Sequence, residues 1–368
     1  MTELIVNVNN EILKEINKMK QVAIYGAQMV AVSVYYALKT LYPDVMVTAF
    51  VVSNMEGNPA KIDGIPVMDL EAYERTGNKN SKILIALPEN FHAEIAAALI
   101  AKGFEKYVCI DSVTEAEIMR RFYAVTGEFA VLSDFPKGEN CPEVFVGMSK
   151  FYKDRQLNGN YEIPGYVYPV QAGAALTDVQ VAELRDDKGD NISHKNVNYS
   201  ELTAMYWIGK HMSSDYMGLF HYRRMLDVKD EDLLRFGENN IDVVLPYPTV
   251  HYPNINEHHK RYLKQQDWDA MMQALKELTP EYARRLPEIF EKQFFYNYNM
   301  LIAKEKVFKD YCDWLFPILQ RTEELSVPKG SERADRYIGY LGENLTTLYF
   351  MVNADKLKIV HTGRLMLI

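Results

Sequence analysis

Apolar residues in this chain fall into short uninterrupted runs and longer runs with helical spacing, and the two alternate. QVAIYG (Gln21 to Gly26), VTAFVVS (Val47 to Ser53), KILIAL (Lys82 to Leu87) and KYVCID (Lys106 to Asp111) read as strands buried on both faces. Between them, MVAVSVYYALKTLY and FHAEIAAALIAKG place apolar residues on one helical face, the second closing at Gly103, a glycine suited to a helix C-terminus. This alternation predicts a Rossmann-like parallel sheet with right-handed crossovers over residues 1–112. Residues 3–19 read as a short helix or a poorly ordered lead-in. Residues 113–140 read as a helical linker, TEAEIMRRFYAV breaking into LSDFPKGENCP, where Gly, Pro, Asn and Asp cluster.

A second α/β unit is expected over 141–368. EVFVGMSK (Glu143 to Lys150) opens it, and Asp186 to Asn191 form a polar turn. In the helix that follows, Leu202, Met205, Tyr206 and Met212 share a face, while Asn198 and Glu201 stand at capping-box spacing. Glu201 is therefore either a cap or a site residue. The run YMGLF (Tyr216 to Phe220) and NIDVVLPYP (Asn240 to Pro248) read as buried strands. HYPNINEHHKRYLKQQ reads as a basic, solvated helix carrying His258 and His259, and RYIGYLGENLTTLYF as a helix with Glu343 and Asn344 near its start.

Composition narrows the class. Hydrophobic residues make up 48% and charged ones 25% of 368 residues, the balance of a globular chain. No apolar run is long enough to span a bilayer, and the first residues carry acids and amides rather than a basic start, so a cytoplasmic protein is expected. With 41 basic and 50 acidic residues the net charge is −9, which argues against a nucleic-acid partner. Cys109, Cys141 and Cys312 match no metal-ligand spacing and read as buried structural thiols. The 25 tyrosines offer flat apolar faces with polar tips.

Candidate chemistry lies where YMGLF runs into His221, Tyr222, Arg223 and Arg224. Ligands of open α/β sheets bind outside the carboxyl ends of the strands, which puts these four residues at the mouth of a crevice. If the chain stays extended, His221 and Arg223 share one face and Tyr222 and Arg224 the other. The first sheet fits a dinucleotide poorly. GAQMVA has Gln28 and Ala31 where the fingerprint wants glycines, and Ser53 and Asn54 stand where the ribose-binding acid belongs. Gly26 reads as a turn requirement, and an NAD-dependent oxidoreductase is the least favoured function.

Several motifs in fixed order add a resemblance over residues 144–368: D-N-I-S at Asp190 to Ser193, E-L-T-A-x-Y-W at Glu201 to Trp207, G-L-x-H-Y-R-R at Gly218 to Arg224, Y-N-M at Tyr298 to Met300, and G-x-x-x-E-x-L at Gly339 to Leu345. In these the chain resembles bacterial capsular-polysaccharide-synthesis proteins regarded as glycosyltransferases, and its first part is similar to Rossmann-like domains fused to sugar-processing enzymes. The resemblance implies a GT-A-like fold, a nucleotide-sugar donor, with a UDP-sugar favoured, and a growing cell-surface glycan, lipid-linked at the inner membrane face, as acceptor. The protein would then be peripheral to the membrane. Enzymes of that fold commonly hold a divalent metal with an Asp-x-Asp pair at a central strand end. Here that place carries His221 to Arg224, so guanidinium charge is expected to replace the metal, with no cofactor. Candidate catalytic residues are His221, Arg223, Glu343 and Asp190. Candidate donor-binding residues are Arg224, Asn191, Ser193, Lys150 and Asn299. A nucleotide-sugar-binding protein without turnover is the alternative reading. His361 reads as a packed residue.

Overall fold

The computed structural model describes residues 12–157, 159 and 161–368. Of the expected lead-in, residues 12–17 are helical, and residues 3–11 lie outside the described residues.

The fold is α/β throughout, as expected, and is built on two main sheets. The first holds β1 (Gln21–Tyr25), β2 (Met46–Val52), β3 (Lys61–Ile62), β4 (Ile65–Asp69), β5 (Lys82–Ile85) and β6 (Tyr107–Cys109) in the order β3-β4-β2-β1-β5-β6. All pairs but β3–β4 are parallel. The crossovers are α1 (Met29–Leu41), α2 (Leu70–Thr76) and α3 (His92–Ala101). Gly26, at the end of β1, has φ +123°, and a Cβ there would meet the Ala86 carbonyl oxygen at 2.8 Å. Both the turn and the close approach of the neighbouring chain demand glycine.

The stretch expected as a linker begins inside α4 (Ser112–Thr126). Its Ile118, Met119, Phe122 and Tyr123 join the apolar cluster beneath β1 and α1. α4 also carries the contact to the rest of the chain: Tyr123 donates to the Pro248 carbonyl at 2.8 Å, and Met366 N–H donates to Ser112 Oγ at 3.0 Å. The α1 residue Ser33 likewise accepts from Val250 N–H at 2.9 Å.

The second sheet comprises β7 (Val144–Lys150), β8 (Val167–Gln171), β9 (Leu184–Arg185), β10 (Tyr216–Phe220), β12 (Val243–Pro246), β15 (Leu301–Lys304) and β16 (Ile359–Thr362), ordered β16-β12-β15-β10-β7-β8-β9. Three short strands lie outside it: β11 (Arg224–Leu226) pairs with β17 (Arg364–Met366), and β13 (Thr249–Val250) with β14 (Phe294–Phe295). β10 is central and wholly buried, as its sequence predicts. The sheet is mixed, because β15 runs antiparallel between β10 and β12. Met217 and Leu219 of β10 enter the core on one face, and Tyr216 and Phe220 that on the other. The first of these cores is covered by α6 (Leu202–His211), preceded by the single turn α5 (Asn196–Tyr199), and by α9 (Gln265–Leu278), α10 (Pro280–Phe290), α11 (Glu305–Leu325) and α12 (Tyr337–Val352). The other meets α7 (Leu234–Glu238).

Three local expectations are corrected. The basic helix from His251 shrinks to α8 (Ile255–His259), and His259 is buried against Trp268, ring centroids 3.6 Å apart, rather than solvated. Asn198 does not cap α6; its amide donates to the Gly330 and Arg333 carbonyls and fixes the approach to α12. Of the cysteines, Cys312 is buried and Cys109 partly so, but Cys141 is exposed. His361 is packed as expected, hydrogen-bonded to Tyr296 Oη at 2.8 Å. Among the described residues no helix is long and apolar enough to cross a membrane.

Candidate active site

The parallel strands β7 and β10 end together, and β15, running the other way, begins beside them. Four connections therefore meet at one edge: the end of β7 with Lys150, the end of β10 with His221, the loop Tyr298–Met300 entering β15, and the start of α6 with Glu201. α12 supplies Glu343, and the residue before it, Arg336, is its N-cap.

The extended geometry expected for His221 to Arg224 is not what forms. β10 stops at Phe220 and the chain turns, Arg224 N–H donating to the His221 carbonyl at 3.0 Å and Arg223 N–H lying 3.4 Å from His221 Nδ1. Alternation of faces thus fails, because the residues are spent on a tight turn whose exit, β11, pairs with β17. The turn delivers both arginines to the crevice. Arg224 stacks on the Tyr298 ring at 4.1 Å, with Arg364 at 5.5 Å from the same ring. Arg364 is anchored by a buried ion pair to Glu115 of α4 at 2.8 Å.

Lys150, Arg223, Arg224 and Arg336 form no ion pair with a carboxylate among the described residues, and the buried Nε of Arg223 has no partner. Their field is felt by His221. Burial first, and then Arg224, Arg223, Arg336 and Lys150, lower its pKa to about 3, so the imidazole is neutral at pH 7. Burial lowers the Lys150 ammonium's pKa and raises that of the Asp154 carboxyl near it. Arg336 Nε donates to Ser200 Oγ at 3.0 Å, but partly buried cations without a counter-charge are costly, and a bound anion is the usual resolution.

Facing the cations is a carboxyl pair. Burial, and then the charge of Glu201, push the Glu343 carboxyl up to about 8. Glu201 is itself raised by burial and accepts from Asn299 Nδ2 at 2.8 Å. Asn299 is fully buried at φ +50° and accepts from Thr346 at 3.2 Å, so its amide is held in place by α12. One carboxyl poised near neutrality beside a cationic cradle can take a proton while the cradle holds an anion.

The structure thus brings together His221, Arg223, Arg224, Lys150, Asn299 and Glu343. Among the described residues no hydrogen bond or ion pair ties Asp190, Asn191 or Ser193 to them. Ser193 Oγ donates to the buried Asp186 at 2.5 Å, and Asp186 also accepts from Gly173 and Ala174 N–H. Asn191 binds the Asp187 and Gly189 carbonyls. Asp190 accepts from Tyr206 at 3.0 Å, and its carbonyl meets His211, at the end of α6 remote from Glu201, a helix length of about 15 Å. Those short polar residues fix a turn. Residues that sequence reasoning missed are Arg336 and Tyr298, and it left Glu201 undecided. Arg336 precedes α12 in a left-handed conformation at φ +63°, a backbone state that nothing in the local sequence signals.

Known proteins sharpen the picture. A solved structure described as the WbbM bifunctional glycosyltransferase, in its apo form, is similar at 26% identity with a TM-score of 0.51, over 61% of this chain and 45% of that one. The chain thus spans less than half the length of that enzyme. A structure of RSP in complex with β-NADH and one of RSP described as a Rex-family repressor match at 21% and 17% identity over 29% and 34% of this chain, and 52% and 68% of theirs, each with a TM-score of 0.23, too low to carry an argument. No curated protein matches. Residues 158–354, more than half the chain, match the model of a domain of unknown function, DUF4422, and the chain belongs to that family.

Proposed function

We propose that this chain is a glycosyltransferase that moves a sugar from a nucleotide-sugar donor, favoured as a UDP-sugar, to a growing cell-surface glycan without a divalent metal. The observation that carries the reading is the cluster Lys150, Arg223, Arg224 and Arg336, without a carboxylate ion-pair partner among the described residues, opposite Glu343, whose carboxyl is pushed up to about 8. The likeness to a bifunctional glycosyltransferase supports it.

In this mechanism the donor diphosphate lies against Arg223 and Lys150. The bond from the anomeric carbon to the diphosphate oxygen breaks as the acceptor oxygen bonds to that carbon. Glu343 takes the acceptor hydroxyl proton, and the nucleoside diphosphate leaves carrying the electron pair. Guanidinium forks preset for phosphate oxygens stabilise charge where it develops. Neutral His221, fixed by the turn, can donate one hydrogen bond to a phosphate oxygen without competing for the proton. The acceptor, lipid-linked at the inner membrane face in this reading, would bring the protein to the membrane from the cytoplasm.

Calorimetric titration with UDP-, GDP-, dTDP- and CMP-sugars, with and without EDTA, is the test. One donor is expected to bind equally well in both conditions. Binding that disappears with EDTA would sink the metal-free reading, and a protein that binds none of the four would sink the transferase reading.

A further inference from the structure

Two tyrosine rings at the rim of the carboxyl pair have no part in the chemistry just described. Tyr340 stands on α12 three residues before Glu343, so the two project from one helical face. Tyr262 stands in the turn after α8, within electrostatic reach of Glu343 and Tyr298. The rings stack at 5.9 Å between centroids and 28° between planes, yet Tyr262 is 50% and Tyr340 39% exposed. Tyr262 is backed firmly: the His258 ring packs 5.1 Å from it and is itself held 3.9 Å from His251 and 5.0 Å from Phe295, while Tyr340 is carried on α12. Rings packed from behind and left open in front make a rigid, amphipathic contact surface.

Resting on the transferase reading, we propose that Tyr262 and Tyr340 form the acceptor platform: a pyranose ring of the glycan lays its C–H face on the tyrosines and its hydroxyl edge toward Glu343. The position selects a sugar rather than the nucleobase, because the platform borders the proton-accepting carboxyl on its own helix face. The cationic cradle, where the nucleotide's phosphates lie, is on the strand-end side. The glycan residue so placed is the one that receives the transferred sugar.

The test is saturation-transfer NMR of the full chain with di- to tetrasaccharides of glucose, galactose, mannose and rhamnose. UDP, GDP, dTDP and CMP binding are measured in parallel by calorimetry. Wild type, Tyr262→Phe and Tyr340→Phe are expected to bind at least one glycan, and Tyr262→Ala and Tyr340→Ala to bind it ~10-fold more weakly, with nucleotide affinity unchanged. Glycan binding absent from the wild type, or equal in the Ala variants, overturns the platform. A nucleotide affinity that falls in place of glycan affinity overturns it too and makes the rings a base-stacking site. Glycan binding that falls as expected while no nucleotide binds the wild type keeps the platform and removes the transferase reading.

Discussion

The chain contains two crevices at the carboxyl ends of its two main sheets, and they differ in what fills them. At the first, Gln28 donates to Asn58 at 2.6 Å and accepts from Arg261, while the Tyr25 and Ser53 hydroxyls meet at 3.1 Å. Arg261 comes from the second part of the chain, so the side of this crevice beside β1 and β2 is closed by the protein itself, while Leu87 to Glu89 beyond β5 line a cavity with Arg224, Tyr298 and Arg364. At the second, Lys150, Arg223, Arg224 and Arg336 have no carboxylate partner among the described residues, and Arg223 Nε has no partner at all. Folding satisfies almost every buried polar group. A cluster of cations without carboxylate partners is what the proposed donor would satisfy, and topology alone does not reveal which of the two crevices carries it.

The contrast can be broken most directly at Glu343. Glu343→Gln is expected to lower turnover by ~10²–10⁴-fold with donor binding retained; a variant of undiminished rate would remove the base. Its pH signature sharpens the point. The base acts deprotonated, so kcat/KM should climb with pH and level off above about 8. Glu201→Gln, by removing the repulsion, should move that limb to lower pH. Stability runs the opposite way. A carboxyl raised from 4.5 to about 8 favours its neutral form in the fold, so its contribution is lost as pH rises through that window. Glu343→Gln should therefore melt above wild type at pH 9 and show no such gain at pH 4.

Next in size is Arg223→Ala, expected to cost about 2–4 kcal/mol of transition-state stabilisation, ~10²–10³ in rate. Steady-state kinetics with the donor found in the binding screen checks it, and full turnover would return Arg223 to a structural role. Glu115→Gln tests how the first part of the chain supports the second crevice. Side chains of Glu115 and Arg364 are only 10% and 12% exposed, so leaving Arg364 unpaired should cost about 3–5 kcal/mol in denaturant unfolding and loosen the Arg364–Tyr298–Arg224 stack. The smallest effect belongs to the first crevice. Gln28→Ala should cost about 1 kcal/mol of stability and leave turnover unchanged. A large loss of rate would show that this crevice too takes part in function.

Much of this was legible from residue order. YMGLF was recognisable as a central strand because five uncharged residues between polar ones leave no solvent face, and the positions of His221, Arg223 and Arg224 beyond its end followed. What misled was the local backbone. His221 to Arg224 looked like a continuing strand, since nothing in HYRR announces a turn; it is the pairing of β11 with β17, from residues 364–366, that bends it. D-N-I-S looked like a site because Asp, Asn and Ser bind ligands and fix turns with the same atoms. Only the buried carboxylate of Asp186 shows which use they serve here. Glu201 stood at cap spacing, and the distant Asn299 turned it to face Glu343.

The sequence by itself determined the α/β class, the two strand-and-helix units and the burial of the central strand, because periodicity and glycine placement act through local geometry. The tertiary structure decided which charged residues meet. Partners such as Glu115 with Arg364, or Glu201 with Asn299, come from segments far apart in the chain. Whether a charge is neutralised or left for a ligand depends on that pairing and on the loss of water around it.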